Sequence, residues 1–299
     1  MKIIVTGASG FIGTNLVKYL KKHDHYVIAI CDYTCEAGDI ADYAYYTGML
    51  GLRMKHAELW HADAIVHLAA NNDTLCQDYH QMTDHNFMAS EKMYKLAKKI
   101  NCSHFIYASS MAVYGNQIER EDPLNVYAGS KLLFDNYIKT KIKNDSMSLI
   151  GLRLCNVYGP YENQKGRRMS YLGQMLRNMI MNKKIKLFKE IDTKRDWVYV
   201  EDVCDAILKS LKSKNSGIYN IGSGNTISFI DLFEKLACTT GYKKKPELIK
   251  NKNIKSYQSI ERNDITSAIK YLGYKPKYNF DKGIKKYYSE IIKNYPAIS

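Results

Sequence analysis

Two kinds of hydrophobic pattern alternate along the chain. Short apolar runs stand at Lys2-Ile-Ile-Val-Thr6, Tyr26-Val-Ile-Ala-Ile30, Ala62-Asp-Ala-Ile-Val-His-Leu-Ala-Ala70, His104-Phe-Ile-Tyr-Ala-Ser-Ser110 and Leu149-Ile-Gly-Leu-Arg-Leu154. Between them apolar residues recur with helical period, as in Ile12, Leu16, Val17 and Leu20, or in the helix that Asn86 opens with Met93, Leu96, Ala97 and Ile100. Runs apolar on both sides suit strands buried on both faces, and the periodic stretches suit helices with one buried face. The alternation predicts an α/β fold, a doubly wound parallel sheet with helices on both faces. Gly38-Asp39-Ile40 reads as a strand end in an otherwise irregular stretch, and Glu201-Asp202 as the cap of a helix over Val203 to Leu211. After Pro160 the texture changes to a polar, basic loop, a Met/Leu/Ile helix and then mainly short helices. One domain is expected from residues 1–157 with about 194–223, and a smaller, mostly helical one from 158–193 and 224–299.

Composition narrows the class without naming a function. The chain has 299 residues, 45% of them hydrophobic and 25% charged, which is ordinary for a globular protein. No apolar run approaches the ~18 residues of a membrane span, and the first residues enter a strand with no leader pattern before it. The seven cysteines show neither CxxC nor zinc-like spacing, so they read as reduced thiols of a cytoplasmic protein, with no metal site expected. A formal charge of +14 raises nucleic acid as a partner. The basic residues are spread from end to end, however, with no basic stripe broken by aromatics, so nucleic acid is not expected. The same positive field would serve a doubly phosphorylated small molecule.

The first chemical motif is Gly7-Ala-Ser-Gly10-Phe-Ile-Gly13, set between a strand and a helix, with Asp32 ending the next strand. Strand, glycine turn, helix, strand and acid together form the context of a dinucleotide-binding (Rossmann) fingerprint. The glycines let backbone approach a pyrophosphate, whose charge then sits at a helix N-terminus. Asp32 can accept hydrogen bonds from an adenosine ribose and would repel a 2′-phosphate, so NAD is expected rather than NADP. Asp39 is placed facing the adenine. His67 lies in an apolar run and reads as a satisfied core histidine. Asn71 opens a polar loop at the C-terminal end of that strand, the edge where open α/β sheets bind ligands.

The second motif is Tyr127-Ala-Gly-Ser-Lys131 with Ser109-Ser110 upstream. On a helix, Tyr127 and Lys131 share a face. Lowering a tyrosine pKa by ~3 units takes roughly 4 kcal/mol, about what an ammonium ~4 Å away supplies at an effective dielectric of ~20. Such a pair is commonplace in a chain with 25 tyrosines and a lysine excess. Ser110, at a strand end where its hydroxyl can meet that of Tyr127 on one carbon, is what raises the pair above a solvated helix face.

The order of motifs is itself informative. Thr6-Gly-x-x-Gly-x-x-Gly13, His67-Leu-Ala-Ala70, Ser109-Ser-x-x-Val-Tyr-Gly115, Tyr127-x-x-x-Lys131, Asn156-Val-Tyr-Gly-Pro160 and Arg195-Asp-Trp-Val-Tyr-Val-x-Asp202 together resemble the extended short-chain dehydrogenase/reductases, the nucleotide-sugar epimerases and dehydratases. The resemblance spans essentially the whole chain. Within it, Leu124 to Asp135, Gln164-Lys165-Gly166, Leu187-Phe188, Lys194-Arg195-Asp196 and Tyr257-Gln258 are similar to the ADP-glyceromanno-heptose 6-epimerases. The resemblance implies transient oxidation by NAD, with Tyr127 and Lys165 as bases on opposite faces of a carbon, Ser110 hydrogen-bonding its oxygen and Lys131 reaching the nicotinamide ribose. It also implies a nucleotide-diphosphate sugar as substrate and a homodimer paired through the tyrosine helix. The cofactor set expected is Gly7, Gly10, Phe11, Ile12, Gly13, Asp32, Asp39, Ile40, Leu68, Ala69, Ala70, Asn86, Tyr127, Lys131 and Val157. The substrate set is Asn71, Ser109, Asn156, Arg167, Gln174, Phe188, Arg195 and Tyr257, with the Arg195 guanidinium suited to a diphosphate.

Departures keep alternatives open. Where the heptose enzymes have a small hydroxyl residue and later a histidine, this chain has Arg167-Arg168 and Gln174; those enzymes generally favour NADP, and their counterpart of 33–60 is longer. A 4-epimerase needs the same tyrosine, serine and lysine with only one base, and a dehydrogenase would release NADH. Lys165 beside two arginines equally suits phosphate contact. A non-catalytic NAD- or RNA-binding scaffold is the rival of a different class, and it has little use for Ser110, Tyr127 and Lys131 together.

Overall fold

The computed structural model describes residues 1–47, 61–117, 120–189, 193–250 and 264–294, without the side chains of Arg167 and Asn294. In chain order the elements are β1 (Lys2–Thr6), α1 (Phe11–Lys22), β2 (Tyr26–Cys31), α2 (Glu36–Ile40), β3 (Tyr43–Tyr46), β4 (Ala64–His67) and α3 (Tyr79–Met82). A π-helical turn, Thr83–Met88, leads into α4 (Ala89–Lys99), β5 (His104–Ser110), a 3₁₀ turn Met111–Tyr114, α5 (Val126–Lys141), β6 (Ser148–Leu154) and β7 (Asn156–Tyr158). The 3₁₀ segment Glu162–Arg168 follows, then α6 (Tyr171–Ile180), β8 (Lys186–Phe188), β9 (Lys194–Tyr199), α7 (Val200–Ser210) and β10 (Gly217–Ile221). Last come β11 (Thr226–Ser228), α8 (Phe229–Thr240), β12 (Glu247–Ile249), α9 (Thr266–Leu272) and α10 (Phe280–Asn294).

Seven strands form one parallel sheet in the order β10-β6-β5-β4-β1-β2-β3. The chain winds outward from β1 through β2 and β3, then returns to the other side of β1 at β4. That reversal opens a crevice beyond the C-terminal ends of β1 and β4, the place where open α/β sheets receive ligands. Alternate residues of each strand feed opposite faces: Ile3 and Val5 pack with Leu16, Val17 and Leu20 of α1, whereas Ile4 packs with Ile65, Phe105 and Phe134. Phe134 sits edge-on to Tyr107 at 4.8 Å between ring centroids, which locks α5 onto β5. Burying such a side chain stabilises the fold by about 1.5–3 kcal/mol.

A third core joins α6, α8 and α10 through Leu172, Leu176, Trp197, Leu232, Phe233 and Ile284. Here β9 pairs in parallel with β7 and antiparallel with β11, not with the large sheet. Three expectations are corrected. Gly38, Asp39 and Ile40 end a five-residue helix, not a strand. Helical structure begins at Tyr79, upstream of Asn86, which lies in the π-helical turn. Asp202 lies inside α7, where its carboxylate accepts the backbone N–H groups of Lys277 (2.8 Å) and Tyr278 (3.1 Å) instead of capping the helix.

Candidate active site

The glycine turn supplies the first half of the site. Gly7 has φ +65°, and a Cβ there would lie 2.7 Å from the Ala69 nitrogen; one on Gly13 would lie 2.1 Å from the Gly7 oxygen. Only hydrogen fits at either place. Gly10 precedes α1 with no side-chain cap, so the first N–H groups of the helix are left to an anion. A cavity of about 610 Å³ opens here, lined by Gly7, Gly10, Phe11, Ile12, Gly13, Asp32, Leu68, Ala69, Ala70 and Asn71. A glycine cradle that side chains would fill, an uncapped helix terminus and a carboxylate at the end of β2 fit a dinucleotide. His67 lies beneath, buried between Thr6 Oγ1 (2.7 Å) and Ser90 Oγ (3.0 Å), and burial pushes its pKa down to about 3. It is a satisfied core histidine.

Some expected cofactor residues stand elsewhere. Asp39 is exposed on α2, and neither it nor Ile40 lines this cavity, because the short helix turns them away. Asn86 is buried and bonds Asn71 in both directions: the Asn71 N–H donates to Asn86 Oδ1 at 2.8 Å, and Asn86 Nδ2 donates to the Asn71 oxygen at 2.9 Å. It shapes the cavity wall without lining it. Val157 borders the second cavity.

That second cavity, about 980 Å³, shares Phe11, Ile12, Ala108, Lys165 and Arg168 with the first. Into it project Ser110, at the end of β5, and Tyr127, in the first turn of α5, whose start is fixed by Asn125 accepting the Ala128 N–H at 2.9 Å. Burial raises the Tyr127 pKa, and its hydrogen bond to Ser110 draws it back down. Lys131, one turn on from Tyr127, is anchored to the strand beside it. Its ammonium donates to the Ala108 carbonyl at 2.8 Å, and burial lowers its pKa to about 8 against the opposing charge of Asp135.

Asp135 ends the stretch that begins at Leu124, and it lies at the centre of a buried network. Its carboxylate, fully buried, accepts Tyr107 OH (2.9 Å), Ser109 Oγ (3.0 Å) and Arg153 Nε (2.8 Å). Ser109 borders the cavity, and its hydroxyl donates to Asp135 at 3.0 Å. The signals for Asp135 in the sequence are its place at the end of the Leu124 to Asp135 stretch and one turn beyond Lys131.

The segment after Pro160 closes the site. Asn15 Nδ2 donates to the Pro160 oxygen at 2.9 Å, and Tyr161 OH donates to Glu36 at 2.9 Å, tying the segment to α1 and α2. Lys165 lies over the Phe11 ring, 5.8 Å from its centroid. Burial lowers the Lys165 pKa, opposed by Glu162 and reinforced by Arg168. Asn156, Gln174 and Arg195 border the second cavity. Phe188 does not; it stacks on Tyr171 at 6.0 Å. The Arg167 side chain and Tyr257 lie outside the described residues. Among the described residues no His, Cys, Asp and Glu group could hold a metal ion, and no helix is long and apolar enough to cross a membrane.

Known proteins match both the fold and the sequence. A UDP-glucose 4-epimerase from Thermotoga maritima is 24% identical, with TM-score 0.89 and coverage of 98% of this chain and 99% of that one. A UDP-glucuronic acid 4-epimerase from Bacillus cereus, in complex with UDP-glucuronic acid and NAD, is 23% identical, with TM-score 0.84 and coverage of 99% and 100%. The ADP-L-glycero-D-manno-heptose-6-epimerase of Helicobacter pylori is 28% identical, with TM-score 0.86 and coverage of 97% and 96%. The sequence itself matches the NAD dependent epimerase/dehydratase family over residues 3–222, and the chain belongs to that family.

Proposed function

We propose that the chain is a nucleotide-sugar epimerase of the NDP-heptose 6-epimerase kind, working by transient oxidation with two bases. The observation that carries this reading is the position of Lys165: it borders both the glycine-turn cavity and the cavity holding Tyr127 and Ser110. The similarity to the Helicobacter pylori heptose 6-epimerase supports it.

NAD, the family's cofactor, supplies a hydride acceptor and returns the hydride once reduced. Gly7, Gly10 and Gly13 with the α1 N-terminus would hold its diphosphate, and Asp32 its adenosine ribose. Tyr127 takes the hydroxyl proton of the carbinol while Ser110 holds the oxygen. The ketone turns to present its other face, and Lys165, made more acidic by burial, would give its proton to the oxygen as the inverted alcohol forms; the proton taken by Tyr127 is released and Lys165 is reprotonated through solvent. Arg195 and Asn156 would bind the diphosphate and sugar. Because the cofactor ends as it began, no second substrate is consumed.

Replacing Lys165 with alanine tests the reading. Turnover lost with nucleotide-sugar binding retained supports it; near-normal turnover would assign the chain to the one-base 4-epimerases instead. A homodimer paired through α5 is part of the same proposal, consistent with the exposed apolar Leu133 on α5 and Met88 beside α4. A light-scattering mass equal to one chain would remove that part.

A further inference from the structure

We propose that Asp135 is a positioning residue of this site: its buried carboxylate fixes the Ser110 strand against the Tyr127 helix and stands one turn from Lys131 as its counter-charge. The inference rests on the reading that Tyr127 and Lys131 perform the hydride chemistry. Tyr127, Lys131 and Asp135 follow one another at i, i+4 and i+8 on α5, so all three lie along the face turned to β5.

The surroundings of Lys131 explain why it needs a counter-charge. It is buried, it donates to the Ala108 carbonyl of β5 at 2.8 Å, and His67 of β4, the nearby titratable group on that strand, is neutral. A buried ammonium in such a place loses its proton readily. The charge that opposes this loss is Asp135, which lifts a Lys131 pKa otherwise lowered by burial. Asp135 is itself held in place from two strands. Tyr107 and Ser109 of β5 and Arg153 of β6 all donate to it, while Arg153 also donates to Glu121 at 2.9 Å and lies over the Tyr114 ring. Lys139 pairs with Glu121 at the outer edge, 2.9 Å away. One carboxylate thus joins the residue before Ser110 to the helix that carries Tyr127.

The test is the protonation of Lys131, measured without turnover. The wild-type protein with NAD bound is pulsed with an amine-acylating reagent at a series of pH values, and labelling of Lys131 is quantified by peptide mass spectrometry. The wild-type midpoint is expected below that of an exposed lysine, because burial lowers the Lys131 pKa. Asp135→Asn should move it down by roughly one to three pH units. The alkaline limb of turnover should follow, with kcat reduced more than KM. Removing one partner of a buried pair risks misfolding, so Asp135→Asn combined with Arg153→Gln is the second variant, which removes both charges and leaves a neutral hydrogen-bonding pair. An unchanged midpoint in folded, NAD-binding Asp135→Asn, or equal midpoints in the double variant and in Arg153→Gln alone, overturns the proposal. A Lys165→Ala enzyme with normal turnover would unseat the two-base reading but leave this midpoint untouched, so the two failures are told apart.

Discussion

Asn86 and Asn71 hold each other through two reciprocal hydrogen bonds, 2.8 and 2.9 Å long, across the crevice between the π-helical turn and the end of β4. Asn86 Nδ2 also donates to Ser130 of α5 at 2.9 Å, so one buried amide links the cofactor wall to the tyrosine helix. Asn86→Asp keeps the acceptor for the Asn71 N–H but sets a carboxylate oxygen against the Asn71 carbonyl. Leaving such buried groups unpaired costs about 1–3 kcal/mol. A lower melting temperature together with weaker NAD binding is expected; a variant with both unchanged would show that the bridge contributes little.

Two glycines in the motifs should respond in opposite ways. A Cβ at Gly13 would meet the Gly7 oxygen at 2.1 Å and the Ala8 Cα at 2.7 Å, all backbone that cannot yield. Gly13→Ala should abolish NAD binding in titration calorimetry or fail to fold. Gly129, between Tyr127 and Lys131 in α5, has nothing within 4 Å of its Cβ position. There Ala improves the helix by about 1 kcal/mol, raising the melting temperature by about 2 °C with NAD affinity unchanged.

Asp32 is the residue expected to set the choice of dinucleotide. It is exposed at the end of β2, where its carboxylate would face a ribose hydroxyl favourably and a 2′-phosphate unfavourably. NAD should therefore bind at least ~10-fold more tightly than NADP, a difference of about 1.4 kcal/mol. Asp32→Ser should narrow the gap, chiefly by improving NADP. Fluorescence titration with both reduced cofactors gives the ratio, and equal affinities in the wild-type protein would remove the role given to Asp32.

What could be read in advance follows from how local each signal is. The strands β1, β2, β4, β5 and β6 are continuous apolar runs because both faces are covered, and the glycine turn is legible because backbone must pass backbone there. His67 reads correctly as core because apolar neighbours flank it on its own strand. Asp39 does not, since a helix of five residues is too short to display a period. The role of Asp135 is not legible in the stretch it ends for another reason: its partners Tyr107, Ser109 and Arg153 lie 18 to 28 residues away, and only the packing of α5 on β5 and β6 brings them together. Ser109 and Ser110 both border the cavity, but only the packing of α5 decides their partners: Ser109 donates to Asp135 and Ser110 bonds Tyr127.

Glu162 should make the fold's stability depend on pH. Its side chain is fully buried; one carboxyl oxygen accepts the Ser170 N–H at 2.5 Å and the other has no hydrogen-bond partner among the described residues. Burial raises its pKa above the usual glutamate range, although Lys165 and the Ser170 contacts pull the other way. The folded state therefore binds the proton more tightly than the unfolded chain does. Stability attributable to this group is fully present below the unfolded pKa of about 4.5 and is lost as pH rises through the folded value. Glu162→Gln mimics the protonated form and retains an acceptor for Ser170. The variant should match the wild type at pH 4 and melt at a higher temperature at pH 7.5, since the buried charge is gone. Calorimetric melts at the two pH values give the comparison. A wild-type advantage at pH 7.5 would mean that the pairing of Glu162 with Lys165 outweighs the cost of burying both.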